Sequence, residues 1–580
     1  MTGAGAQLET LRGLLKTIYK DHSPEDFNYM WSQLLQILEE NKDIDFNHNQ
    51  KQASVWDSST AVLITYADGV YSNSKSTLSP LKRLIDNHLG KLASIIHILP
   101  FLCSTSDGGF AVSSYEKVEP RFGDWDDINN LSENNLIMAD LVLNHVSASH
   151  PWVHQFKMSS NPGIKYILSP SIKDDWGNVI RARNTSLFTS IITNQGRKDV
   201  WTTFGPDQVD VNWNEPLLIL EFLTLIIKYL RNGIRWIRLD AIGFIWKEPS
   251  TTCLNMKQAH DLVKVLRILL KELCESGVLI TETNVPEKEN VSYLISGDEA
   301  QLAYNFPLPP LLLEALITNK ADLVNKWLDS WPTLPDKTGF LNFTASHDGI
   351  GLRALEGLME PYRLHNLLIA CEKRGGLISH RRMSNGEDKP YELNISWWSA
   401  MADTGINRNL FQSKRFLLSQ LFVMALKGVP AFYLQAIMAS ENDIFAFDKS
   451  GERRDLNRER FDFKSLEHAL KDINSNASKN LLALNQAMTV RSRLKAFHPD
   501  EPMILYSKKR SDVVLFSRGI EDYRVWVLHN MTNKKLSFSF ADVLLTKFPS
   551  AWCDCLNNKV YFDNRIELNP YAVHWLTQKK

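Results

Sequence analysis

Gly233-Ile-Arg-Trp-Ile-Arg-Leu-Asp-Ala-Ile-Gly243 is the stretch on which the reading of the fold turns. Ile234, Trp236, Ile237 and Leu239 make a short apolar strand, Arg235 and Arg238 interrupt it, and Asp240 stands at its carboxyl end. Burying a carboxylate there costs free energy unless it is paired or used. The carboxyl ends of parallel strands are also where barrel enzymes collect their reacting groups.

Working outward, similar apolar runs recur at Val62–Tyr66, Ala93–Pro100, Leu136–Asn144, Val278–Glu282, Leu302–Tyr304, Gly339–Ser346 and Gly428–Tyr433, with helix-length segments such as Leu78–Leu89 between them. Continuous apolar runs alternating with helices are parallel strands covered on both faces. Eight of them, with no GxGxxG opening any helix, predict an α/β chain built on a (β/α)8 TIM barrel over residues 55–145 and 211–501. Two intervals exceed an ordinary barrel loop. Residues 146–210, rich in Trp, Asn, Asp and Arg, are expected as an inserted domain over the barrel mouth. Residues 353–425 are expected as a second insertion, in which the polar tract Ser379–Pro390 reads as a mobile loop near the substrate.

The two ends differ from this pattern. Leu8, Leu11, Leu15 and Ile18, then Phe27, Met30, Leu34 and Leu38, follow helical spacing and predict an N-terminal helical cap over 1–54 that ends in a polar linker, Glu39–Ser54. From 502 to 580 the period falls to two, predicting an antiparallel β domain.

The formal net charge of −1 on 580 residues, with charges scattered, leaves no basic stripe for nucleic acid. Six cysteines, at 103, 253, 274, 371, 553 and 555, show neither zinc spacing nor a disulfide framework and fit a cytoplasmic protein. No apolar signal core follows Glu9, Arg12 and Lys16, and the greasiest run, Leu217–Leu230, is too short to span a bilayer. Neither membrane attachment nor a cofactor is expected.

Two more acids complete the pattern: Glu282 and Asp348, each at the end of a different strand, join Asp240 over one barrel mouth. Cleaving a glycosidic bond needs a carboxylate to attack the anomeric carbon, an acid to protonate the leaving oxygen, and charge to stabilise an oxocarbenium-like state. One such acid alone reads equally well as a helix N-cap; three together do not. Asn144, His145 and His347 stand beside strand ends and can contact sugar hydroxyls, while Arg238, two residues before Asp240 on the same face, favours its ionised form. A metal bound by Asp140, His145 and Asp240 has nothing specific to favour it, and none is expected. Asp107-Gly-Gly-Phe110 offers a tight turn, a hydroxyl acceptor and an aromatic platform for a sugar. Gly451-Glu-Arg-Arg-Asp-Leu-Asn-Arg458 brings arginines towards the same mouth.

Asp140…Asn144-His145, Gly233…Arg238-Leu-Asp240, Glu282 and His347-Asp348 resemble the four conserved regions of the α-amylase superfamily, glycoside hydrolase family 13. Asp107–Phe110, Arg121–Asp127, Ser346–Gly351 and Arg454–Arg458 resemble its sucrose phosphorylase subgroup. The resemblance implies Asp240 as nucleophile, Glu282 as acid/base and Asp348 as transition-state stabiliser, with Asp107 and Arg458 closing a glucose subsite and Phe110 in its aromatic wall. It also implies an α-glucoside and inorganic phosphate as small-molecule partners. The helical cap, Trp201–Phe204, Pro206–Asp210 and Pro390–Asn394 look more like relatives acting on glucosylglycerate, glucosylglycerol or sucrose 6-phosphate than on sucrose. Glucosylglycerate is the first expectation, with Arg381 and Arg382 meeting its carboxylate. A hydrolase of the same fold is the rival. Oligomeric state is not legible in the sequence.

Overall fold

The computed structural model describes residues 3–44, 55–383, 387–405, 409–542, 551–562 and 565–578. Eight parallel strands close into a barrel: β1 (Val62–Thr65), β2 (Ile95–Ile98), β3 (Leu136–Val142), β4 (Ile234–Asp240), β5 (Val278–Thr281), β6 (Leu302–Tyr304), β7 (Gly339–Asn342) and β8 (Val429–Tyr433). Each pairs with its neighbours in sequence order, and β8 closes on β1. Almost every residue of these strands is buried, which is why the sequence shows apolar runs there instead of alternation.

Strand register positions the chemistry. Arg238 on β4 lies opposite Asp140 on β3 and Ile280 on β5, and Asp240 lies opposite Val142. The acidic and basic groups of three consecutive strands therefore emerge at one level, after a register irregularity between Ile137 and Met138.

β7 is shorter than the predicted Gly339–Ser346 run: it ends at Asn342, so His347 and Asp348 stand on the loop beyond it. Most of the Ser379–Pro390 tract is not a mobile loop but part of a β-hairpin, Leu377–Arg382 with Asp388–Asn394, which also pairs with Ile350–Gly351. Its tip, 384–386, lies outside the described residues. The reason is local: Ile378, Tyr391 and Leu393, which flank the polar tract, give the two strands apolar side chains that the tract itself lacks.

Between β3 and β4, His145–Ser147 pairs with Gln208–Asp210, and Phe188–Thr193 pairs with Gly196–Trp201, in a small layer above the barrel. At the N-terminus, α1 (Gly3–Ile18) and α2 (Pro24–Glu40) are amphipathic, and Ser23 caps α2 by accepting from the Asp26 N–H. They pack on α3 (Leu218–Arg231) and α4 (Lys257–Leu273), the helices on either side of β4 in sequence. The expected linker lies mostly outside the described residues. At the C-terminus a six-stranded antiparallel sheet and a two-stranded one enclose their own core of Leu515, Trp526, Phe538, Phe540, Trp552 and Ile566. Among the described residues no helix is long and apolar enough to cross a membrane.

Candidate active site

A cleft of about 630 Å³ opens at the carboxyl ends of the strands, and Asp240, Glu282 and Asp348 all line it. Asp107, Phe110, His145, Arg238 and His347 share its wall. Asn144, Arg458, Arg381 and Arg382 do not.

Asp240 sits beside a fully buried guanidinium. Arg238 donates from Nη1 to Asp240 Oδ1 at 2.7 Å and also binds Asp140, while its Nη2 lies 3.8 Å from Glu282 Oε2. His97 completes the chain at 2.8 Å from the other Asp140 oxygen. One cation thus faces three carboxylates. Burial, together with repulsion from Glu282 and Asp140, pushes Asp240 up to about 8 even though Arg238 opposes the rise. Burial raises Glu282 as well, again against Arg238. Two neighbouring carboxyls thus both resist ionisation around one guanidinium. Asp240 has the close charge-assisted bond, whereas Glu282 accepts the Ala241 backbone N–H at 3.1 Å.

Asp348 behaves oppositely. Burial alone would raise it, but Arg454, then Arg238 and Arg458, hold it below the usual carboxylate range. Arg454 Nη1 lies 2.6 Å from Asp348 Oδ1. Three acids in one cleft are thereby split into two pushed towards the protonated form and one held towards the ionised form, a division suited to acid/base and electrostatic work.

One side of the wall pairs an aromatic ring with an imidazole. Phe110 stacks on His347 with ring centroids 5.0 Å apart and planes 10° off parallel. Burial drives the pKa of His347 well below the ordinary value, and Arg238 and Arg458 add to it, so the imidazole is uncharged. Burial likewise lowers that of His145, whose Nε2 lies 3.1 Å from Phe110 O and 3.0 Å from Gln208 Nε2. Asp107 adopts φ 51°, and Gly109 φ 107°; a Cβ on Gly109 would meet Pro100 O at 2.5 Å, so this turn requires glycine. Asp107 accepts from Gln208 Nε2 at 3.0 Å.

Four of the expected contact residues lie off the cleft wall in this structure. Asn144 is wholly buried beneath the wall, where it donates to Asp210 at 2.9 Å and accepts from Lys247 at 2.6 Å. Lys247 also pairs with Asp210 at 2.5 Å, so an internal ammonium ties the inserted layer to the end of β3. Arg458 stands behind the wall, donating from Nε to His347 O at 2.8 Å with its guanidinium over Tyr66. Arg381 pairs with Glu356 and Arg382 with Asp388, and neither is on the cleft wall.

Among the other wall residues, Asn284 and Arg183 carried no sequence signal, while Gln208 and Tyr391 lie in Pro206–Asp210 and Pro390–Asn394, segments noted for their resemblance with no role given to either residue. The Arg183 guanidinium lies 5.8 Å from the Phe204 ring and 5.7 Å from the Tyr391 ring, without a carboxylate partner among the described residues. Arg454 stood within a segment flagged for its arginines, but nothing there distinguished it from Arg453 or Arg458.

Residues 87–350 match the family model for the α-amylase catalytic domain. The chain is 36% identical over 487 residues to a glucosylglycerate phosphorylase of Allomeiothermus silvanus, covering 84% of this chain and 87% of that protein. It is 32% identical over 530 residues to a glucosylglycerate phosphorylase of Escherichia coli, covering 91% and 93%. Its fold is similar to that of a sucrose 6F-phosphate phosphorylase from Thermoanaerobacter thermosaccharolyticum, with TM-score 0.70, 23% identity, and 83% of this chain and 96% of that one covered. With the cleft's three carboxylates in place, these similarities make the chain a member of the α-amylase superfamily, glycoside hydrolase family 13, within the subgroup of sucrose and glucosylglycerate phosphorylase-like proteins.

Proposed function

We propose that this chain is a retaining α-glucoside phosphorylase that moves glucose between 2-O-α-glucosylglycerate and inorganic phosphate. Asp240 attacks the anomeric carbon while Glu282 gives its proton to the departing glycerate oxygen, leaving a β-glucosyl ester on Asp240. Phosphate then attacks from the face glycerate has left and displaces the Asp240 carboxylate, giving α-glucose 1-phosphate with configuration retained. Asp348, kept anionic, stabilises the oxocarbenium character of both transition states.

The observation that carries the anionic acceptor is Arg183. It is a cation on the cleft wall near two rings and, among the described residues, in salt-bridge contact with no carboxylate, although its charge reaches Asp348 and Glu392; that setting favours a carboxylate or phosphate arriving from solution. The three catalytic acids and the named relatives support the glucose half.

The test is to supply α-glucose 1-phosphate with glycerate, glycerol, fructose or fructose 6-phosphate in separate reactions and follow phosphate release. Release is expected with glycerate above all others. Preference for another acceptor would reassign the substrate, and equal release without any acceptor would make the chain a hydrolase.

A further inference from the structure

Glu392 is a buried acid to which the mechanism above gives no part. It lies on Asp388–Asn394, the central strand of the insertion's small sheet, opposite Gly351. Its two oxygens receive two nitrogens of one guanidinium: Arg454 Nε at 3.0 Å and Nη2 at 2.7 Å. The third nitrogen, Nη1, reaches Asp348 at 2.6 Å. Only 3% of Glu392 is exposed.

The loop carrying Asp348 is held through its backbone by Asn457, which donates to Ser346 O at 3.2 Å and Asp348 O at 2.9 Å, and through its carboxylate by Arg454. Gly349 lets Glu392 approach: a Cβ there would come within 2.5 Å of Glu392 Cγ. Charge enters as well. Arg454 paired with Asp348 alone would be a neutral couple, but the trio of Arg454 and two carboxylates carries one net negative charge, towards which Arg183 also acts from the cleft wall.

We propose that Glu392 is a positioning residue for glucosyl transfer, holding Arg454 by a two-pronged contact so that Asp348 is fixed in place while the trio keeps its net negative charge for the cationic transition state. The proposal rests on the site reading above only in requiring glucosyl transfer at this cleft, whichever acceptor is used. Both carboxylates are held low, with Arg454 the chief influence opposing burial, as the sharing of one cation requires.

The experiment compares wild type, E392Q and E392D in the full chain. Initial rates are read as fluoride released from α-glucosyl fluoride with and without phosphate, and inhibition is measured with glucose, a neutral ring, and 1-deoxynojirimycin, a protonated one. E392Q is expected to lower kcat by roughly 10- to 100-fold with KM little changed, and to weaken 1-deoxynojirimycin far more than glucose. E392D keeps the charge and is expected to preserve the preference for the protonated inhibitor while losing part of kcat. Unchanged kcat in E392Q, parallel loss of both inhibitors, or loss of that preference in E392D would each overturn the proposal. Should E392Q fail to fold, wild type against E392D still decides by the inhibitor preference. Fluoride release without α-glucose 1-phosphate formation would overturn the phosphorylase reading alone.

Discussion

Arg238 Nη1 lies 2.7 Å from Asp240 Oδ1, and the same guanidinium serves Asp140 and approaches Glu282. Removing it leaves three buried carboxylates without their shared cation. Arg238→Ala is therefore expected to destabilise the protein by about 3–5 kcal/mol, the cost of breaking a buried ion pair from one side. Denaturant unfolding followed by fluorescence checks this, and a loss below 1 kcal/mol would mean the carboxylates find other neutralisation.

Asp240 supplies a pH-dependent prediction. Its carboxyl is raised from 3.8 to about 8 in the fold, so its contribution to stability is fullest below the unfolded value and is lost as pH climbs through 8. Asp240→Asn abolishes the titration. The melting temperature of the variant minus that of wild type should consequently be more positive at pH 8 than at pH 5, while glucosyl transfer is abolished. Calorimetry at the two pH values reads the sign, and a constant difference would contradict the raised pKa.

Lys247 is 3% exposed and lies against Asp210 and Asn144. Lys247→Met fills its volume but leaves Asp210 ionised without its cation, and should cost roughly 3 kcal/mol. Limited proteolysis should then cut first within 146–210, the layer this contact fastens. Cutting first elsewhere would show that the layer is held by other means.

Arg183 and the pair Arg381/Arg382 make opposite predictions. Arg183→Ala should raise KM for phosphate and for glycerate by roughly 10- to 100-fold, the worth of a charge-assisted contact. Replacing Arg381 and Arg382 together should leave acceptor preference unchanged, because their cations already have Glu356 and Asp388. Steady-state kinetics with each acceptor separates the two, and a selective glycerate defect in the double variant would restore the hairpin to the site.

The barrel was readable because strands buried on both faces write themselves as apolar runs, and because a strand-end acid such as Asp240 is costly unless used. What escaped notice depends on contacts between distant segments. Nothing in the string shows that Asn144 would be claimed by Lys247 and Asp210, or that Arg454, not Arg458, would reach Asp348. Arg381 and Arg382 looked available because a polar tract resembles a loop; pairing across the hairpin, which sets Arg382 opposite Asp388, is a property of register that composition does not report.

The N-terminal helices lie on the outside of the barrel, far from any reacting atom, yet they rest on the two helices that bracket β4 in sequence. His22 reaches Asn214 O at 2.8 Å just ahead of α3, and Arg231 near its end reaches Asn41 at 2.6 Å. An appendage on the outer wall thus splints the strand that carries Asp240, the nucleophile of the proposed reaction, and removing it is expected to loosen that strand first.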